Sequence, residues 1–377
     1  MRIHDVKDLT MTALALAVSG DQQQNLIADK IWILRPYNAL SDRSHLDEIC
    51  SNTFKGTNDY LPAMIPKYVA DPDCRFIVLA NAGKLDDESE FGVPEACLNL
   101  RDLGHGVRFL EAVRTRPESR GKGLGNMIIS KMLEEVSESS SYEKILSCTV
   151  AGNQAMRRIF DKTGFRQVTE ITGLNFKVLT KIPGWSVHDK DHRCDQTLVE
   201  ALNLSNLISD QAKRDVESWQ TVKTKVEAEF ILNSTAKYNP LWEYGCIPGL
   251  FEGIGIDSQR FKISLKNGRV LVLENDLDSP ALIVFHRDPR IASLKSNWIL
   301  SIVGTTSHHL ESALYAACSK RIQNLLREDS EDPDDFIGFV LTFCTTMSIR
   351  DELAASFPLW DESCVVYGRK LGSFEQT

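Results

Sequence analysis

The sequence predicts a mixed α/β fold, with antiparallel strands first and parallel crossovers after them, followed by a second α/β domain. Three observations carry this. The chain has 377 residues, more than one core comfortably takes, and its composition is globular, 42% hydrophobic and 25% charged. Across residues 30–179, runs of apolar period two and of helical period alternate in the order β-α-α-β-β-β-α-β-α-β-β. Between a strand and a helix stands Ser119-Arg-Gly-Lys-Gly-Leu-Gly-Asn-Met127, glycine-rich and basic.

Taken in order, a first strand is expected over Lys30 to Arg35, ended by Pro36. Ser41-Asp42 can cap a helix running to about Phe54, and a second helix spans Ala63 to Ala70, stopped by Asp71-Pro72. Three extended runs follow, Arg75 to Ala80, Glu95 to Leu100 and Val107 to Thr115, with turn formers in the gaps. Leu124, Met127, Ile128, Met132, Leu133 and Val136 recur every three or four residues and predict a helix. Lys144 to Val150 reads as a strand, Asn153 to Lys162 as a helix closed by Gly164, and Phe165 to Ile171 as a strand, after which Gly173 turns into Leu174 to Leu179. Helices then reconnecting to parallel neighbours make right-handed crossovers.

The second half repeats the rhythm. Helices are expected over Leu198 to Ile208 and Val216 to Ile231, a hairpin from Phe261–Leu265 to Val270–Glu274 over Asn267-Gly268, and strands at Ala281 to Phe285 and Trp298 to Val303. A helix over Ser307 to Leu326, a strand over Phe336 to Thr342, a helix near Asp351 to Ala355 and a strand over Val365 to Leu371 complete it. The expected organisation is an N-terminal extension over 1–27, a first domain over 28–182, a linker over 183–195 and a C-terminal α/β domain over 196–377, read as a degenerate repeat of the first.

A formal net charge of -9 argues against a general nucleic-acid binder, which needs a basic face. Nine cysteines with no C-x-x-C pair form no disulfide framework, which favours a reducing, cytoplasmic setting. Leu9 to Val18 is apolar, but Asp5 and Asp8 spoil the positive flank of a signal peptide. No other stretch approaches the ~20 apolar residues of a spanning helix, so a soluble protein without membrane partners is expected. The sequence leaves the oligomeric state open.

The quoted loop is built for an anion. Glycines let backbone approach a ligand closely, and the first amides of the following helix point outward with the positive end of its dipole. Arg114, Arg116, Arg120 and Lys122 add mobile positive charge. A nucleoside-triphosphate loop is excluded because Gly123, not a hydroxyl residue, follows Gly121-Lys122. A dinucleotide loop is disfavoured because Asn126 occupies the third glycine position and several antiparallel strands precede it. The acyl-coenzyme A pattern [RQ]-x-x-G-x-[GA] fits at each fixed position, as Arg120, Gly123 and Gly125.

Here the first domain, from about Lys30 to Leu179, resembles the Gcn5-related N-acetyltransferases. The resemblance implies acetyl-CoA as co-substrate and no metal, with the Arg120, Gly121, Lys122, Gly123, Leu124, Gly125 and Asn126 amides holding its pyrophosphate. It implies that the Val113, Arg114 and Thr115 backbone pairs with the pantetheine arm, and that Asn153 contacts coenzyme A. The segment Ala151 to Phe165 matches a second family block, with Phe160 where many members carry a tyrosine that protonates the departing thiolate. Phenylalanine cannot donate a proton, so the catalytic acid is unassigned.

Glu111 is the candidate base. By the two-residue period it shares a face of its strand with Val113 and Thr115. It either accepts the amine proton, directly or through water, or is a strand glutamate paired with Arg114 or another cation. Deprotonating an α-amine of pKa ~8 at pH 7 costs roughly 1.4 kcal/mol against about 4.6 for a lysine ε-amine, which leans towards an α-amine acceptor.

Gly56-Thr-Asn-Asp-Tyr-Leu-Pro62 with Asp71-Pro-Asp73 resembles the histidine N-acetyltransferase group of vertebrates. That resemblance implies a small-molecule amine acceptor, L-histidine first, and makes Tyr60 the candidate substrate contact; the alternative is a tyrosine packed under the loop. Other amino acids, polyamines or a protein N-terminus remain alternatives within the same chemistry, and a non-catalytic acyl-CoA sensor outside it. His188-Asp-Lys-Asp-His192 reads as a solvated linker rather than a metal site, Asp329 to Asp335 as an acidic loop, and His308-His309 as a polar helix start. Val303-Gly-Thr-Thr-Ser-His-His309 replaces the arginine-glycine pattern in the second half, where no acetyl-CoA site is expected.

Overall fold

In this computed structural model of the chain, the described residues are 31–51, 53, 59–83, 92–138, 142–179, 204–249, 252–273, 280–286, 297–304, 306–317, 319, 322, 338–346 and 363–371. The apolar N-terminal stretch, the 183–195 linker, the acidic loop and the helix expected near 351–355 lie outside them. The elements run β1 (Trp32–Pro36), α1 (Arg43–Cys50), α2 (Leu61–Ala70), β2 (Cys74–Asn81), β3 (Val93–Gly104), β4 (Val107–Thr115), α3 (Leu124–Glu138), β5 (Lys144–Val150), α4 (Gln154–Lys162) and β6 (Arg166–Leu179). After these come α5 (Leu204–Leu207), α6 (Asp210–Arg214), β7 (Trp219–Thr221), α7 (Lys225–Ser234), β8 (Cys246–Gly249), β9 (Glu252–Gly255), α8 (Gln259–Lys266), β10 (Val270–Leu273), β11 (Ala281–His286), β12 (Asn297–Val303), α9 (Ser307–Ala317), β13 (Gly338–Thr345) and β14 (Cys364–Lys370). The class is mixed α/β, with a large mixed sheet.

The residues form two compact units, neither a single stretch of chain. The first takes its residues from Met1–Ile65, Phe76–Leu98 and Ala112–Met132, the second from Pro66–Arg75, Asn99–Glu111 and Leu133–Thr377. In the first unit, strand order runs β1-β2-β3-β4, and β1 pairs antiparallel with β2 from Trp32↔Asn81 to Pro36↔Ile77. In the second, to which the first half of β4 belongs, the order is β4-β5-β14-β6-β13-β12-β11-β10-β7. There β4 runs parallel to β5, from Val107↔Lys144 to Leu110↔Ser147.

Two features of the second unit follow from sequence that is distant along the chain. β14 is antiparallel to both of its neighbours, β5 and β6. Its Cys364, Val365, Val366, Gly368 and Tyr367 are all buried, as a strand covered on both faces requires. β6 is one strand and not the two separated by a turn that Gly173 predicts: Gly173 pairs with Cys344, inside an unbroken antiparallel register from Thr172↔Thr345 to Leu179↔Gly338. β12 and β13 are parallel, joined through α9, which repeats the β4–α3–β5 arrangement.

Two further expectations are corrected. The hairpin arm Phe261–Leu265 is part of helix α8: Ser258 caps it by accepting from the Phe261 amide at 3.3 Å, and Phe261 and Ser264 are buried at helical spacing. Asn267 and Gly268 (φ 68°) end the helix instead of turning a hairpin, because a left-handed glycine serves both geometries. The helix expected over Val216 to Ile231 is a 3₁₀ turn, the short β7 and α7, with Thr224 capping α7 at the Glu227 amide. Among the described residues of this unit, apolar side chains fill two cores. One lies around Phe109, Leu146, Ile171, Tyr244 and Val366, the other around Ile231, Ile254, Phe261, Val272 and Val284.

Candidate functional site

In the first unit, Arg116 leads from β4 into a 3₁₀ turn over Pro117–Ser119, and the chain then turns through Gly121 (φ 77°) and Gly123 (φ 86°) into α3. Both glycines hold backbone angles that strain any residue with a Cβ. Among the described residues, a Cβ at Gly121 would meet nothing within 4 Å, so there the backbone borders open space. The first helical bond is from the Met127 amide to the Gly123 carbonyl at 3.0 Å, so the Leu124, Gly125 and Asn126 amides precede the helical ladder. Leu124 is buried and anchors the helix, Lys122 is exposed, and Asn126 Oδ1 is buried with no hydrogen-bond partner among the described residues.

The loop's base is fixed by buried acid. Glu95 is buried and accepts from Ser119 Oγ at 2.6 Å, and its carbonyl accepts from the Arg116 amide at 2.8 Å. Arg116 also pairs with Glu48 and donates to the Pro94 carbonyl at 2.9 Å. Arg114 donates to both oxygens of Asp59, at 2.7 and 3.2 Å, and its guanidinium lies 5.5 Å from the Tyr60 ring centroid. Burial opposes the Arg114 charge, yet the Asp59 bonds outweigh it and hold the guanidinium above its ordinary range. Arg114 and Arg116 are therefore committed ion-pair partners and not mobile anion ligands. Arg120 donates to the Thr115 and Ser51 carbonyls at 3.2 and 3.1 Å, and Arg114 to the Val113 carbonyl at 3.0 Å. Tyr60 thus sits against Arg114, three residues before the Ala63 amide that bonds its carbonyl.

Ala112 interrupts β4 with φ 59°. A left-handed residue inside a strand is the mark of a bulge, and it breaks the two-residue alternation expected to place Glu111 on one face with Val113 and Thr115. In the second unit Glu111 is buried and accepts from Asn99 Nδ2 at 2.9 Å, with Arg101 Nε 3.5 Å away. Of the partners expected, Arg114 or another cation, the one beside Glu111 is another cation, Arg101. Arg101 in turn pairs with Glu252, and Glu252 with Arg260. Neighbouring Cys74 accepts from Asn99 at 3.6 Å, and burial pushes its thiol up to about 12.

Asn153 caps α4, accepting from the Met156 amide at 3.1 Å. Phe160 is fully buried, its ring 5.2 Å from Phe165 and 4.8 Å from Tyr367 of β14, whose hydroxyl accepts from Arg157 Nε at 3.0 Å. Among the residues that sequence reasoning missed, Asp59 adjoined the candidate Tyr60 in the quoted block. Asn99, Arg101 and Glu252 carry no local pattern, and Tyr367 lies more than two hundred residues beyond the motif it packs against.

Residues 103–172, which span β4, the glycine loop, α3, β5 and α4, match the family model of FR47-like protein. Among solved structures, the chain is similar to a GCN5-related N-acetyltransferase from Sphaerobacter thermophilus, at 9% identity and TM-score 0.48, over 90% of this chain and 96% of that one. A GCN5-related N-acetyltransferase from Kribbella flavida gives 12% identity and TM-score 0.42, over 92% and 72%. A spermidine N-acetyltransferase from Vibrio cholerae gives 16% and 0.30, over 36% and 80%. No curated protein matches the chain. The family match, which contains the loop fitting the acyl-coenzyme A pattern, supports an N-acetyltransferase of the Gcn5-related kind.

Proposed function

We propose that the chain transfers the acetyl group of acetyl-CoA to the α-amine of a small acceptor, with L-histidine the first candidate. The observation that carries this is the loop: two glycines at positive φ leading directly into the open first turn of α3, with Lys122 exposed beside them. Amides that precede a helical ladder suit a pyrophosphate, and the positive end of the helix dipole adds to the attraction. In this reading Arg120 to Asn126 hold the coenzyme A phosphates. The Val113–Thr115 backbone, beyond the Ala112 bulge, lies along the pantetheine arm.

In the reaction the acceptor nitrogen attacks the thioester carbonyl, so a C–N bond forms, the C–S bond breaks and coenzyme A leaves as thiolate. Glu111 takes the amine proton. Phe160 offers none to the thiolate, and a thiol of pKa near 8.5 leaves without strong assistance. The segment 28–182 is the transferase part in this reading, completed by β14 from the 196–377 segment. Tyr60 lines the acceptor seat. The acceptor assignment rests on the D-Y-L-P block and on the lower cost of deprotonating an α-amine.

Thiol release from acetyl-CoA, run with free amino acids, polyamines and short peptides and with products identified by mass, tests the proposal. Selective release with histidine, giving N-alpha-acetyl-L-histidine and CoA, is expected. Selective turnover of spermidine would replace the acceptor and keep the chemistry. Binding of acetyl-CoA without transfer to any amine would favour an acyl-CoA sensor.

A further inference from the structure

Glu111, Arg101, Glu252 and Arg260 form a line of alternating charge, all within the second unit, in which the two acids are buried and the two arginines half-buried. Glu252 stands on β9, more than a hundred residues beyond the loop, and is 1% exposed while shared by two guanidiniums. A carboxylate this deeply buried persists only if it is paired. Its hold on Arg101 is at Nη2, which leaves Nε as the atom facing Glu111 at 3.5 Å. The nearest donor to Glu111 is therefore the neutral amide of Asn99 at 2.9 Å, and the cation stands farther off, divided between two acids. Among the described residues, two thiols also face this cluster: Cys74, which burial pushes up to about 12, with Asp71 beyond it, and Cys246 beside Arg101 and Glu252, which burial likewise pushes up. Arg101 is further fixed over the Phe109 ring at 5.5 Å.

We propose that Glu252 is a positioning residue for Glu111: by drawing Arg101 towards itself, it keeps that guanidinium from closing fully on the base. The inference rests on the reading of Glu111 as the proton acceptor. Without Glu252, Arg101 is free to form a two-pronged pair with Glu111, which favours the ionised carboxylate and makes it a poorer base. Without Arg101, the charge next to Glu111 is lost and the opposite holds. The C-terminal half would then control the chemistry through a strand that carries no motif of its own.

The test is the pH dependence of kcat/KM for acetyl transfer in the full chain, with the acceptor fixed and melting temperature followed for each variant. In Glu252→Gln the acidic limb should move to lower pH by about one unit and the plateau rate should fall. In Arg101→Gln the limb should move to higher pH. If Glu252→Gln does not fold, Arg260→Gln serves: it leaves Glu252 undivided on Arg101, and the limb should move up. Variants that lose stability but keep the wild-type limb overturn the proposal, because a structural ion pair alone predicts that result. Glu111→Gln separates the two claims. A wild-type rate in that variant removes the base reading itself, whereas a slow Glu111→Gln beside an unmoved Glu252→Gln limb removes only the role of Glu252.

Discussion

The chain makes the same crossover twice and finishes it differently. After β4 it turns through Gly121 and Gly123 into α3, and a Cβ at Gly121 would meet nothing within 4 Å among the described residues. After β12 it turns through Gly304 into α9, and a Cβ there would lie 2.9 Å from His309 Cβ and 3.0 Å from its Nδ1. His309 is buried, and its neighbour His308 bonds Asp215 at 2.6 Å. One glycine keeps space open beside backbone amides, while the other makes room for the protein's own imidazole. A glycine between strand and helix is thus not itself a ligand site. What distinguishes the first is the positive φ at two positions and, among the described residues, the open space beside Gly121.

The largest way to break this comparison is to remove β14, which pairs with β5 of the first crossover and separates it from β6. Deleting residues 364–377, or expressing 28–182 alone, strips both neighbours of a buried strand. Loss of the cooperative unfolding transition is expected by calorimetry, and a sharp native-like transition would show that β14 is dispensable. The next test replaces a glycine in each turn. Gly123→Val should weaken acetyl-CoA binding at least ~100-fold by calorimetric titration, because a β-branched residue does not hold a left-handed conformation. Gly304→Ala should leave that affinity alone and lower stability by about 1–3 kcal/mol, as overpacking does. Weakened acetyl-CoA binding in Gly304→Ala would erase the distinction.

A smaller effect is expected at the bulge. Ala112 holds φ 59° inside β4 and so carries a left-handed penalty of about 1–2 kcal/mol. Ala112→Gly should raise stability or leave it level in urea unfolding, whereas a pronounced loss would mean that the Ala112 methyl packs more than it strains. The smallest effect is one of pH. Burial pushes the Cys50 and Cys74 thiols up from 9.0 to about 12. An unfolded thiol ionises above about 9 while the folded one stays protonated, so their contribution is intact below that pH and is lost between 9 and 12. Melting temperatures should fall across that window, less steeply in a Cys74→Ala variant.

Much of this was legible in the sequence where the signal is local. The Arg120 to Asn126 loop, the β4 and β5 strands and the α3 helix follow from glycine placement and apolar period, and both crossovers were visible as a repeated rhythm. What the sequence did not disclose depends on partners far away. Gly173 reads as a turn until the pairing of β6 with β13 is known, and Asn267-Gly268 fits a hairpin and a helix end equally well. The Ala112 bulge has no residue signature, since alanine is a poor choice for positive φ, so the two-residue face argument for Glu111 could not detect it. Arg114 and Arg116 read as free charge because Asp59, Glu48 and Glu95, which bind them, lie on other elements.

Hydrogen–deuterium exchange of the full chain, with and without acetyl-CoA, reports on both turns at once. Slowed exchange at the amides of residues 121–126, with none at 303–309, is the predicted result. Protection at 303–309, or an unchanged 121–126 segment in the presence of bound acetyl-CoA, would contradict it.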